Sequence, residues 1–91
     1  MHTVDLREQA LALAEQLGYR IREEWLGGSG GGQCEFAGCR WIFVDLALNA
    51  EEQLEQVAEA LRSDPAIHSA PLGPALRRHL GVRKSASAQN L

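Results

Sequence analysis

Leu6, Ala10, Leu13, Ala14 and Leu17 recur at steps of three and four, which puts them on one face of a helix over residues 4–17. Thr3 or Asp5 is placed to cap its start, and Asp5 with Glu8 has the spacing of a capping box. Gly18 is placed to end it in a left-handed conformation. The period then drops to two. Tyr19, Ile21, Glu23 and Trp25 alternate with Arg20, Arg22, Glu24 and Leu26, a strand pattern over 19–26. Glu23 puts a charge on its inner side, which an edge strand tolerates. Gln33–Phe36 and Cys39–Leu46 flank Ala37-Gly38 and predict a hairpin. With a two-residue turn, Phe36 opposes Cys39 and Cys34 opposes Trp41. Cys34, Phe36, Cys39, Trp41 and Phe43 then share one side of the sheet. Gln33, Glu35, Arg40, Ile42, Val44 and Leu46 share the other, with Glu35 and Arg40 as a cross-strand ion pair. The run Trp41-Ile42-Phe43-Val44 is apolar on both sides, so its strand is expected mid-sheet and covered front and back.

Asn49 and Glu52 form a capping box for a second helix, whose buried stripe is Leu54, Val57, Ala58 and Leu61. Ser63-Asp64-Pro65 stops it. Pro71-Leu72-Gly73-Pro74 reads as a rigid loop, and Pro74 opens a short helix over 74–80 that Gly81 closes. The expected fold is α+β: helix, three-stranded antiparallel sheet, helix, short C-terminal helix, with the helices on one side of the sheet. Residues 1–81 make a single domain, and 82–91 read as a disordered tail. Two helices cover only one side of three strands, so a second copy is the expected cover for the other, giving a homodimer.

Composition adds little to this. At 91 residues, 45% hydrophobic and 23% charged, the chain has the make-up of one soluble domain. No apolar run approaches the ~18 residues of a membrane span, and no signal peptide pattern opens the chain. The expected location is the cytoplasm, with both cysteines reduced and buried as small hydrophobes. The charge is uneven: residues 1–64 hold all twelve acids and five arginines, while 65–91 hold four bases and no acid. Four bases fall short of the ~6–10 phosphate contacts of a typical nucleic-acid binder, so nucleic acid is not the expected partner.

Five of the nine glycines lie in Gly27-Gly28-Ser29-Gly30-Gly31-Gly32. The run joins two strands and lacks the following Gly-Lys-Ser/Thr of a phosphate loop. It reads either as a mobile connection or as a binding loop that orders on a ligand. In the second case the candidate ligand-binding residues are Gly28, Gly30, Gly31, Gly32 and Cys34, with Arg20, Arg22 and Arg40 as cations. Cys34, Cys39, His2, His68 and His79 lack zinc-ligand spacing, so neither a metal nor a cofactor is expected. Asp45, His68 and Cys34 form a nucleophilic triple only on paper, and no catalytic residue is assigned. Asp45 is better placed to accept backbone N–H groups near the helix that follows it.

The stretch from Leu17-Gly18-Tyr19-Arg20-Ile21-Arg22 through Gly27-Gly28-Ser29-Gly30-Gly31-Gly32-Gln33-Cys34, then Ile42-Phe43-Val44-Asp45-Leu46 and Gln53–Leu61, resembles a group of short bacterial proteins. In these a Gly-Gly-x-Gly-Gly-(Gly)-x-Cys element precedes an apolar strand, and a Pro-x-x-Arg stretch, here Pro74-Ala75-Leu76-Arg77, lies near the end. The resemblance spans about residues 10–80 and implies a small cytoplasmic bacterial domain of unknown function, with no catalytic residues. A fainter likeness is to small zinc peptidases whose last helix bears His-Glu-x-x-His. Ala58-Glu59-Ala60-Leu61-Arg62 stands there and lacks both histidines. Together these readings predict a non-enzymatic homodimeric module that binds an unidentified protein or small molecule through its glycine loop and sheet edge. The alternatives are a Cys34-dependent enzyme or redox protein, and anion binding by the basic C-terminal segment.

Overall fold

A computed structural model describes residues 2–28 and 30–82. The elements run α1 (His2–Gln16), β1 (Tyr19–Glu24), β2 (Gly32–Phe36), β3 (Cys39–Asp45), α2 (Ala50–Arg62), a 3-10 turn (Pro65–Ser69) and α3 (Pro74–Leu80). α1 starts at His2, so Thr3 and Asp5 lie inside its first turn rather than at its cap. Gly18 follows it at φ +98°, as the left-handed end requires. The Asn49–Glu52 capping box of α2 is fully formed, each side chain taking the other's backbone N–H. α2 ends at Arg62 with Ser63 as its C-cap, and Asp64 caps the following 3-10 turn by accepting the Ala66 N–H at 2.9 Å, a role the helix-stop pattern did not reveal.

The sheet order is β1-β3-β2, with β3 central. The hairpin pairs Phe36 with Cys39 and Cys34 with Trp41. Its turn residues, Ala37 at φ 54° and Gly38 at φ 79°, take the mirror-image conformation that matches strand twist. The fold is α+β, but the sheet is mixed rather than antiparallel: β1 runs parallel to β3, from Tyr19 beside Arg40 to Glu24 beside Asp45. The reason lies in the glycine-rich connection. β1 and β3 end together, while β2 starts beside Phe43 at that same end. Residues 25–28 and 30–31 therefore arch over the end of β3, and the chain re-enters two strand spacings (~10 Å) away instead of turning back beside β1.

One side of the sheet carries the core. Tyr19, Ile42 and Val44 are buried with Ala10, Leu13 and Ala14 of α1 and Leu54, Val57, Ala58 and Leu61 of α2. Ile67, Leu76 and Leu80 close the far end, joined by Val82. Val82 thus belongs to the packed domain rather than to a tail, and the remainder of the expected tail lies outside the described residues. The opposite side presents Arg20, Arg22 and Glu24 on β1, Cys39, Trp41 and Phe43 on β3, and Gly32, Cys34 and Phe36 on β2. No described element packs over it. The shared-side assignment for the five hairpin residues holds, but the strand's second side is not covered by the described residues. Both thiols lie there, so Cys34 is exposed and Cys39 half-buried rather than buried in a core.

Candidate functional site

The glycine arch is built around a buried carboxylate. Asp45, the last residue of β3, is fully buried. Its Oδ1 accepts the Leu26 N–H at 2.9 Å and the Ala47 N–H at 2.9 Å, and its Oδ2 accepts the Gly28 N–H at 2.7 Å. Burial alone would push this carboxyl up. The N–H groups of Ala47, Leu26, Gly28 and Gly30 outweigh it and hold the group below the usual carboxylate range. Gln56 of α2 closes the other side: its Oε1 accepts the Asp45 N–H at 2.9 Å and its Nε2 donates to the Gly30 carbonyl at 2.9 Å. Convergent backbone N–H groups make an anion nest. Here the anion is the protein's own, so Leu26 and Gly28 have no donor left for a phosphate.

The second buried charge sits toward the other end of the sheet. Arg40 donates to Asp64 Oδ2 at 2.7 Å, to the Leu17 carbonyl, and to the Tyr19 hydroxyl at 3.3 Å, with its guanidinium over the Tyr19 ring. Tyr19 donates to Asp64 at 3.0 Å. The Ala66 N–H, opposed by burial and helped by Arg40 and Tyr19, holds the Asp64 carboxyl below its ordinary value. Burial and the bond to Asp64 raise the Tyr19 phenol. Glu35 stands opposite Arg40 in the register, yet the expected Glu35–Arg40 ion pair is replaced by the Arg40–Asp64 pair. Asp64 offers a buried oxygen that is itself hydrogen-bonded, where Glu35 is exposed to competing water.

The candidate residues therefore divide among three places. Gly28, Gly30, Gly31 and Gly32 belong to the arch and the start of β2. Arg20, Arg22 and Cys34 lie on the uncovered side, where Arg20 stacks on Trp41 at 5.7 Å and Arg22 pairs with Glu24. Arg40 lies on the core side, five residues or ~17 Å along β3 from the arch. They do not converge on one pocket. A cleft of about 250 Å³ does open between the start of β2 and α2, lined by Gly31, Gly32 and Gln33 with Gln56, Glu59 and Ser63. Sequence reasoning gave Gln56 no role, Tyr19 only a strand position and Asp64 only a place in the helix stop. Their contacts join segments up to 45 residues apart, and no local pattern announces them.

The uncovered side carries exposed apolar surface. Phe36 is 71% exposed and Trp25, just past β1, is 75% exposed. Trp41 and Phe43 lie on the same side as Phe36, with ring centroids 6.0 Å apart. In the basic C-terminal part, Arg77 donates to the Leu72 carbonyl and His79 meets Glu55 at 2.8 Å, while Arg83 and Lys84 lie outside the described residues. Among the described residues no group of three or more His, Cys, Asp or Glu side chains is placed to hold a metal, and no helix is long and apolar enough to cross a membrane. Comparison with family models, curated proteins and solved structures gives no match to this chain.

Proposed function

We propose that this chain is a non-enzymatic, homodimeric interaction module of the cytoplasm, whose working surface is the uncovered side of the sheet together with the free edge of β2. One observation carries the reading. Exposed Phe36 and half-buried Trp41 and Phe43 line a sheet side that no described element covers, and apolar groups gathered on an open surface mark interaction sites. The buried polar chemistry supports it from the other direction. Asp45 and Asp64 are each bonded to at least three protein donors and neither opens onto a cavity with a nucleophile. Ala58, at the place of a zinc peptidase's first histidine, is packed into the core. In this reading the glycine arch is a frame: Asp45 and Gln56 tie it down, and it delivers β2 to the edge of the sheet.

The test places a photo-crosslinking benzoylphenylalanine at Phe36, or at exposed Glu15 of α1 as the control, in cells making the protein. The expected result is a discrete protein adduct from position 36, including one of twice the 10.0 kDa chain mass, that position 15 does not give. Absence of adducts from position 36, or the same adducts from both positions, overturns the reading.

A further inference from the structure

We infer that two copies of the chain join edge to edge through β2, antiparallel about a two-fold axis at Cys34, making one six-stranded sheet. The inference rests on the homodimeric reading above and specifies its seam. β2 borders β3 on one side only, and four of its five residues are exposed. In a hairpin closed by a two-residue turn, the pair flanking the turn exchanges both backbone hydrogen bonds, and alternate pairs follow suit. Gly32, Cys34 and Phe36 therefore bond to β3, and Gln33 and Glu35 aim their N–H and C=O groups out of the sheet. These are the groups a further strand needs, and a row of them left open is the usual route to strand addition.

The side chains then select both the partner and the register. A strand adding here must place its own outward-directed residues against Gln33 and Glu35, so a second β2 has three choices. Glu35 opposite Glu35 sets like charges face to face, which is destabilising. Gln33 opposite Gln33 leaves Phe36 beyond the end of the partner strand. Gln33 opposite Glu35 pairs all five residues: Phe36 lies over the partner's Gly32, Gln33 faces the partner's Glu35, and Cys34 faces the partner's Cys34. Each of these contacts is complementary. A Cβ at Gly32 would meet nothing within 4 Å, which leaves that position open for the partner's exposed Phe36 ring. Aromatic cover of a strand glycine is a recognised means of pinning register. The cleft beside Gln33, between β2 and α2, leaves room on the helix side for the partner's Glu35 to lie against Gln33, away from Glu59 on the cleft's α2 wall. On the other side, the two apolar patches become one continuous surface across the axis.

The two Cys34 residues would occupy a pair that exchanges no hydrogen bonds, with Cα atoms ~4.5 Å apart, the closest cross-strand approach a sheet offers. The experiment uses purified full chain with Cys39→Ser, and dibromobimane, which fluoresces once two nearby thiols have displaced both its bromides. The expected result is a fluorescent species of twice the 10.0 kDa chain mass that Cys34→Ser abolishes. Sedimentation equilibrium of thiol-free protein provides the second readout. Gln33→Glu sets two carboxylate pairs across the seam and weakens the dimer by about 2- to 30-fold, while Gln33→Lys strengthens it over the same range. Thermal melting of the variants at low concentration checks that the protomer is intact. A dimer that neither bridges at Cys34 nor responds to charge at position 33 overturns this seam and leaves the homodimeric reading standing. A particle of single-chain mass at every concentration overturns both.

Discussion

Replacing Gly31 by alanine tests whether the arch is a packed structure or a slack connection. Gly31 has φ +98°, a region that costs an L-residue about 1–3 kcal/mol. Its neighbour Gly32, at φ +106°, carries the same backbone penalty. The two differ in what surrounds them. A Cβ on Gly32 would point into open space, whereas one on Gly31 would lie 2.9 Å from the Phe43 carbonyl and against the Gln56 amide. Phe43 belongs to the central strand and is held on both sides, so Gln56 must give way. Its retreat breaks the bonds to Asp45 N and Gly30 O, each worth about 0.5–1.5 kcal/mol net. Gly31→Ala is therefore expected to lose about 1–3 kcal/mol more than Gly32→Ala. In a domain of this size that is a further fall in Tm of about 4–24 °C.

Urea and thermal unfolding of the two variants measure the difference directly. Gln56→Ala supplies the internal check. Combined with Gly31→Ala it should cost less than the two changes separately, because the bonds broken by the second are already gone. Equal losses for Gly31→Ala and Gly32→Ala, or strict additivity with Gln56→Ala, would show that the arch is not seated on Gln56 and that its glycines serve only flexibility.

Acid stability follows from the two buried carboxylates. Asp45 and Asp64 are both held below their ordinary values in the folded chain, so the stability they add is complete above about pH 5 and drains as pH falls below the unfolded value of about 3.9 and on through the lower folded values. Calorimetry between pH 6 and pH 2.5 should show Tm falling in that window and a flatter profile for Asp64→Asn; parallel profiles would refute the assignment. At neutral pH, Asp64→Asn also removes the charge facing Arg40 and puts an amide donor where Oδ2 accepted from Tyr19 and Arg40, with an expected loss of about 1–3 kcal/mol in urea titration. At the hairpin turn the sequence is worse than its conformation demands. Ala37 sits at φ 54°, where asparagine is preferred, so Ala37→Asn should raise stability by about 0.5–1 kcal/mol, and an unchanged or lower Tm would contradict the turn assignment.

Much of the architecture was legible because it is written in local patterns. The steps of three and four in Leu6–Leu17 and Leu54–Leu61, the Asn49–Glu52 box and the Ala37-Gly38 turn each depend on residues close in sequence, and each forms as read. The direction of β1 was not legible. A period of two sorts side chains between two sides of a sheet identically whether a neighbour runs parallel or antiparallel, and the glycine run records a long connection without recording what it crosses. The same limit hid the arch's anchors. Asp45 was recognisable as an acceptor of N–H groups after β3, but Gln56 reads from sequence as one more polar position on α2. Its role exists only once the connection has been laid over the strand end.

The central strand shows where pattern and structure part company most usefully. Trp41-Ile42-Phe43-Val44 is apolar at every position, and the described elements account for only half of it: Ile42 and Val44 are sealed, while Trp41 and Phe43 stay partly open. A strand facing water on one side normally alternates, and polar residues at 41 and 43 would have cost the core nothing. Arg20 stacked on Trp41 softens the exposure without removing it. Adding strands along β2 would not cover these rings either, since the new strands lie beside them in the same sheet. It would double the area of the patch and leave it facing outward, as a platform for something else. Under the proposed seam, edge pairing and face binding are separable: Gln33→Glu would act on the first, and Trp41→Ser, on the uncovered side, on the second. A module built this way would assemble through its edge and work through its face.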